Sequence, residues 1–176
     1  ILELTQLFTE LDRDKSIRGI VLTGAGKSFC AGADLNWMKA MKEYSREENE
    51  ADSHRLEEMF ATINTCSKPV VGKVNGHALG GGAGLMSVCD YVICVNTAKL
   101  AFSEVKLGLV PAVISPFVMA KIGESNARAY FLSGGRFTPH EGLHMHLLHK
   151  VCKPDELVEI TNKVINEILT AGPQAS

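Results

Sequence analysis

The chain has 176 residues, enough for one domain with a substantial core. Hydrophobic residues make up 45%, charged residues 22%, and the formal net charge is −2, so there is no basic footprint for nucleic acid. No apolar run approaches the roughly 18 residues of a membrane helix, and Ile1-Leu2-Glu3-Leu4 lacks the basic-then-apolar form of a secretion signal. The absence of an initiator Met, and an end at Gln174-Ala175-Ser176 just after a helical pattern, predict a piece of a longer protein. Five cysteines (Cys30, Cys66, Cys89, Cys94 and Cys152) give an odd count without paired spacing. They predict free thiols in a reducing, cytoplasmic compartment rather than a disulfide framework.

Leu4, Leu7, Phe8 and Leu11 recur at helical spacing and predict a helix over 2–11. Residues 17–22 read as a buried strand ended by Thr23-Gly24-Ala25-Gly26-Lys27, a loop without the spacing of a Walker-type phosphate site. Small residues around Gly32 then lead into a helix over 36–41. Its Trp37, Met38 and Met41 are either core or the wall of an apolar pocket. Ser45 followed by Glu48 is a capping-box pattern, opening a long helix to Asn64 with Leu56, Met59, Phe60 and Ile63 on one face. His54 in this helix reads as solvated. Lys68-Pro69 ends it and begins a strand over 69–74.

The stretch 74–85 is the most informative. An apolar strand enters a turn holding His77, which reads as a structural histidine, then Gly80-Gly81-Gly82 and a helix over 83–89. Glycine permits close backbone approach, and the first amides of a helix lack intrahelical acceptors, so such a turn suits a site where negative charge develops. A tight crossing with no ligand gives the same pattern. Strands at 91–95 and 100–102 follow, and then Ser103-Glu104. With mostly apolar neighbours, Glu104 fits acid/base work if it is desolvated, or a surface pair with Lys106 if it is not. Ser115-Pro116 predicts a helix with Ser115 as its cap, closed at Gly123, with another over 126–132. Thr138-Pro139-His140-Glu141 is a second capping box. His140 and His144 share a helix face, but no carboxylate or thiol completes a metal set, so no metal is expected. A last helix opens at Pro154-Asp155-Glu156, with Leu157, Ile160, Val164, Ile165 and Ile168 as its stripe.

Four segments, in order and spacing over residues 17–151, resemble the crotonase (enoyl-CoA hydratase/isomerase) family. They are Phe29-Cys30-Ala31-Gly32-Ala33-Asp34-Leu35, Val74-Asn75-Gly76-His77-Ala78-Leu79-Gly80-Gly81-Gly82, Cys89-Asp90-Tyr91, and 102–111 around Glu104. Residues 32–38 and 111–116 are most similar to bacterial hydratases of the methylglutaconyl-CoA and carboxygeranoyl-CoA type, which act in leucine and acyclic-isoprenoid breakdown. The resemblance implies an α/β fold, a crotonase-like spiral of β-β-α units (the ClpP/crotonase fold) followed by helices. It implies one domain over 1–176 that lacks C-terminal trimerisation helices, and a homotrimer or dimer of trimers.

The resemblance further implies that the amides of Ala33 and Gly81 form an oxyanion hole for a thioester carbonyl, with Glu104 as acid/base. Backbone around Ala31, Asp34 and Leu35 would grip the CoA moiety. Trp37, Met38, Gly82 and Ala112 would line the substrate, the Ala112 amide helping to hold water. No cofactor is implied, since coenzyme A is part of the substrate and the thioester is the electron sink. Two-glutamate hydratases carry another carboxylate where this chain has Gly84. One carboxylate must then do both jobs of a hydration, or shuttle one proton as a Δ3,Δ2-enoyl-CoA isomerase does. A non-catalytic CoA-ester-binding protein is the third reading.

Overall fold

The computed structural model describes residues 1–172, apart from the side chain of Leu35. Helix α1 spans Leu2–Arg13 and buries Phe8. Strands β1 (Ile20–Thr23) and β2 (Ser28–Cys30) precede a short helix α2 (Leu35–Ala40), a 3-10 turn over Met41–Glu43, and the long α3 (Arg46–Asn64). The predicted capping box is formed: Ser45 Oγ accepts the Glu48 N–H, and Glu48 Oε2 accepts the Ser45 N–H at 2.7 Å. Next come β3 (Val70–Val74), β4 (His77–Leu79) and α4 (Gly81–Ser87), then β5 (Tyr91–Val95), β6 (Leu100–Ala101) and a 3-10 turn over Glu104–Leu107. The chain continues through α5 (Ser115–Ser133), β7 (Arg136–Phe137), α6 (Pro139–His144), β8 (Lys150–Cys152) and α7 (Leu157–Leu169).

The strands form two four-stranded sheets, ordered β1-β3-β5-β8 and β2-β4-β6-β7. All pairs are parallel except β6 with β7. Each β-β-α unit gives its first strand to one sheet and its second to the other, which is the expected spiral. Parallel strands covered on both faces read as continuous apolar runs. Val70, Val71 and Val74 of β3 and 92–95 of β5 are accordingly buried. Helix α7 packs on β3 and β5, α1 on α3, and α4 on α5. Asp12 at the end of α1 accepts the Ser67 N–H at 2.6 Å and so ties α1 to the exit of α3.

Several boundaries differ from the sequence reading. His77 lies in β4 rather than in a turn, and its Nδ1 accepts the Lys99 N–H at 2.9 Å. Helix α4 begins at Gly81, two residues before the predicted start. Ser115 is the first helical residue of α5, not its cap, and its Oγ donates to the Ala112 carbonyl at 2.9 Å. The break predicted at Gly123 is present: its φ of 77° and ψ of 156° are non-helical and divide α5 at a kink. Strands β7 and β8 have no counterpart in the sequence reading. All five cysteines are free thiols, and burial pushes Cys89 and Cys94 up to about 12.

Candidate active site

Strand β4 runs into Gly80, whose φ of 54° and ψ of −127° are open only to glycine. Its N–H donates to the Ala101 carbonyl at 2.8 Å, so the turn is tied to the end of β6. A Cβ on Gly80 would sit 3.4 Å from Glu104 Oε1. Gly81 opens α4, so its N–H has no intrahelical acceptor, and no atom lies within 4 Å of where its Cβ would be. Gly82 is pressed on β2, and a Cβ there would fall 2.4 Å from the Cys30 carbonyl oxygen. The three glycines thus meet three different demands: an unusual turn, open space and close packing. Gly32, with φ 105°, sets its backbone against the Leu79 carbonyl oxygen. Residues 30–32 therefore lie along 79–82, which brings the exposed Ala33 and the half-buried Gly81 onto adjoining segments.

Glu104 starts the 3-10 turn after β6 and is half-buried. Phe102, two residues before it, is held by the rings of Phe131 and Phe137 at centroid distances of 5.4 and 5.5 Å. The Leu109 N–H donates to the Glu104 carbonyl at 3.1 Å and closes the turn. Oε2 of Glu104 is buried with no hydrogen-bond partner. Burial raises this carboxyl above the ordinary glutamate value, and the residue's own backbone N–H offsets part of the rise. No ion pair to Lys106 forms among the described residues, so the surface-pair alternative does not describe this glutamate.

One turn along α4, Gly84 faces an apolar wall. A Cβ there would lie 2.6 Å from Ile114 Cγ2 and 3.2 Å from Phe60 Cζ. The Phe60 ring stacks on Phe117 at 5.8 Å. Beyond this wall a cavity of about 320 Å³ opens between α3 and the start of α5, lined by Ser53, His54, Glu57, Ala112, Val113, Pro116 and Phe117. A second cavity of about 150 Å³ lies at the other end of α4, where Lys121 Nζ donates to the Cys89 carbonyl at 2.6 Å.

Other predicted site residues fall at the rim. Ala31 is exposed between β2 and Gly32. The Asp34 side chain caps α2, accepting the N–H groups of Asn36 (2.7 Å) and Trp37 (3.1 Å). The backbone of Leu35 begins α2; its side chain lies outside the described residues. Trp37 Nε1 donates to Asp52 Oδ2 at 3.0 Å and so links α2 to α3, while Met38 and Met41 are partly exposed rather than core. The Ala112 amide is a correction: it donates to the Val110 carbonyl at 2.8 Å, so this N–H is already engaged and is not offered to water. Ala112 remains at the site only as a wall of the larger cavity.

Sequence reasoning missed Asn75. Its Oδ1 accepts the Gly24 N–H at 3.1 Å and its Nδ2 donates to the Gly26 carbonyl at 2.8 Å, pinning the 23–27 loop. An Asn directly before a Gly after an apolar strand was the available signal. His140 and His144 are exposed on α6, and among the described residues no group of three or more His, Cys, Asp or Glu could hold a metal ion.

A family model described as enoyl-CoA hydratase/isomerase matches residues 1–176. A candidate enoyl-CoA hydratase of Thermus thermophilus is 36% identical over 98% of this chain and 68% of its own length. An enoyl-CoA hydratase of Alternaria alternata is 38% identical over 99% of this chain and 57% of its own. The chain thus spans only part of these relatives. The crystal structure of a candidate enoyl-CoA hydratase/isomerase from Legionella pneumophila superposes with a TM-score of 0.95 at 40% identity, covering 98% of this chain and 67% of that one.

Proposed function

The chain belongs to the enoyl-CoA hydratase/isomerase family, and from that membership we propose that it adds water across the 2,3 double bond of an acyl-CoA thioester. The thioester carbonyl oxygen sits between the N–H groups of Ala33 and Gly81. The Glu104 carboxylate takes a proton from water as the oxygen of that water bonds to the third carbon. The electron pair of the double bond moves onto the carbonyl oxygen, and the two amides stabilise the resulting enolate. Glu104 then returns the proton to the second carbon. Losing one such amide donor typically lowers the rate about 10²–10³-fold. The observation that carries this reading is the buried, unpartnered Oε2 of Glu104 beside the glycine turn. A carboxyl with proton affinity raised by burial and with no internal partner for Oε2 is suited to take up and release a proton.

The reading includes backbone of Ala31, Asp34 and Leu35 along the CoA moiety, and Trp37, Met38, Gly82 and Ala112 along the substrate. It requires no cofactor beyond the CoA of the ester. Motif similarity at 32–38 and 111–116 supports a methylglutaconyl-like acyl group and a place in leucine breakdown, and resemblance to the family as a whole supports a homotrimer or dimer of trimers as the working assembly. The free cysteines support a cytoplasmic setting.

One observation favours a second reading, a Δ3,Δ2-enoyl-CoA isomerase. The wall at Gly84 is filled by Ile114 and Phe60, so no second carboxylate faces Glu104 from α4. The test follows the ultraviolet band of the conjugated thioester in the full chain. Loss of the band from a 2-enoyl ester, with a 3-hydroxyacyl product by mass, supports the hydratase. Appearance of the band from a 3-enoyl ester without hydration replaces it with the isomerase. Glu104→Gln is expected to keep ester binding and lose most turnover; near-normal turnover would remove Glu104 from the mechanism.

A further inference from the structure

We infer that the cavity between α3 and α5 receives the distal end of the acyl group, and that His54 at its rim selects acyl groups ending in an oxygen function, a hydroxyl or a carboxylate. The inference rests on the proposed function for the position of the thioester. Helix α4 then acts as a ruler. Gly80, against the Glu104 carboxyl, and Gly84, against Ile114, are four residues apart, about 6 Å along the axis. About four to five carbon–carbon bonds cover that span. An acyl chain held by its carbonyl at the Gly80–Gly81 turn therefore reaches the Ile114 region with its fifth or sixth carbon. Ala112 and Val113, which immediately precede Ile114, form one wall of the cavity.

The lining is divided. Val113, Pro116 and Phe117 give an apolar face, and Phe117 is fixed by its stack on the fully buried Phe60. The facing residues of α3 are all polar: Ser53, His54 and Glu57. These groups are exposed at the cavity mouth, where an oxygen terminus can hydrogen-bond them and a methyl terminus cannot. The His54 Nδ1 lies 3.5 Å from Glu57 Oε2, which directs Nε2 away from Glu57. Neutral, with Nδ1–H turned to Glu57, His54 accepts a hydroxyl proton at Nε2; protonated, it donates there to a carboxylate. The His54 side chain is 80% exposed, so it is open to a ligand and can be replaced without disturbing the core.

The test compares three saturated five-carbon esters of the same length (pentanoyl-CoA, 5-hydroxypentanoyl-CoA and glutaryl-CoA) by calorimetric binding to the full chain and to His54→Leu. At least one oxygen-ended ester is expected to bind about tenfold tighter than pentanoyl-CoA to the native protein, and His54→Leu is expected to abolish that preference. Preference for the hydroxyl ester alone, or for glutaryl-CoA alone, identifies which oxygen function is selected. Equal binding of all three esters, or a preference that survives His54→Leu, overturns the inference. Turnover of pent-2-enoyl-CoA is measured separately: its absence removes the catalytic reading while the binding comparison still decides the role of His54.

Discussion

Glu104 is held at a disadvantage by the fold, and that has a measurable sign. Its raised proton affinity means the unfolded chain ionises this carboxyl more readily than the folded one does. The folded state is therefore penalised above the ordinary glutamate value of about 4.3, and the penalty vanishes in acid, where both states are protonated. Glu104→Gln is expected to raise the melting temperature at pH 7 and to leave it unchanged near pH 3.5, read by calorimetry. In the native protein the acid limb of the rate profile is expected above the ordinary glutamate range, because the ionised form must start the reaction. Gly80→Ala tests the other side of the same contact. The backbone there is open only to glycine, so a side chain costs about 1–3 kcal/mol, while its Cβ would make an ordinary contact with the Glu104 carboxyl; denaturant midpoint and turnover should fall together as the strained turn shifts. Glu104 and the glycine triplet were legible in the sequence because composition against context marks them: a lone carboxylate after an apolar strand, and glycines where a helix starts. The engaged Ala112 amide and the capping role of the Asp34 side chain were not, since each depends on how a neighbouring carbonyl or amide is turned.

At the scale of elements, packing of Gly84 against Ile114 decides how much chemistry α4 can carry. A glutamate at 84 would drive its Cβ into the Ile114 side chain, so Gly84→Glu alone is expected to destabilise the protein and add no hydration. Ile114→Ala should cost about 2–5 kcal/mol by opening a void beside Phe60, measurable in urea. Asn75→Ala is expected to loosen the 23–27 loop and cost about 1–2 kcal/mol, with faster amide exchange at Gly24. The sequence carried α3 well, because Ser45 and Glu48 announce its start and Lys68-Pro69 its exit. It did not carry β7 and β8. Two or three residues are too few to show a period, and these strands exist because β6 and β5 offer them a partner edge. The same non-local cause moved His77 from a turn into β4. The wall at Gly84 was likewise hidden, since 30 residues separate the two sides of that contact in the chain.

For the molecule as a whole, the closing strand of the first sheet depends on one imidazole. His149 stacks on Tyr91 at 4.8 Å, its Nδ1 accepts the Val92 N–H at 3.0 Å, and its backbone N–H donates to the Val92 carbonyl at 2.9 Å. Burial, with Lys121 and His146 nearby, lowers its proton affinity, and Asp90 opposes that shift. The neutral ring is the form the fold prefers. Its contribution is complete above the ordinary histidine value of about 6.5 and is lost as pH falls from there through the lowered folded value. His149→Phe keeps a ring on Tyr91 but removes the acceptor. It is expected to be less stable than the native protein at pH 7.5 and to lose less stability between pH 7.5 and 5.5.

The alternation of strands between two sheets also orders events in time. In each sheet the strands stand side by side in the order of synthesis, so a nascent chain leaving the ribosome always finds its next partner edge already built. No early strand waits for a late one to be inserted beside it, and the slow search that parallel pairing imposes is divided into short steps. Ribosome-stalled chains of increasing length should therefore gain protease resistance from β1 and β3 outward, with β8 last.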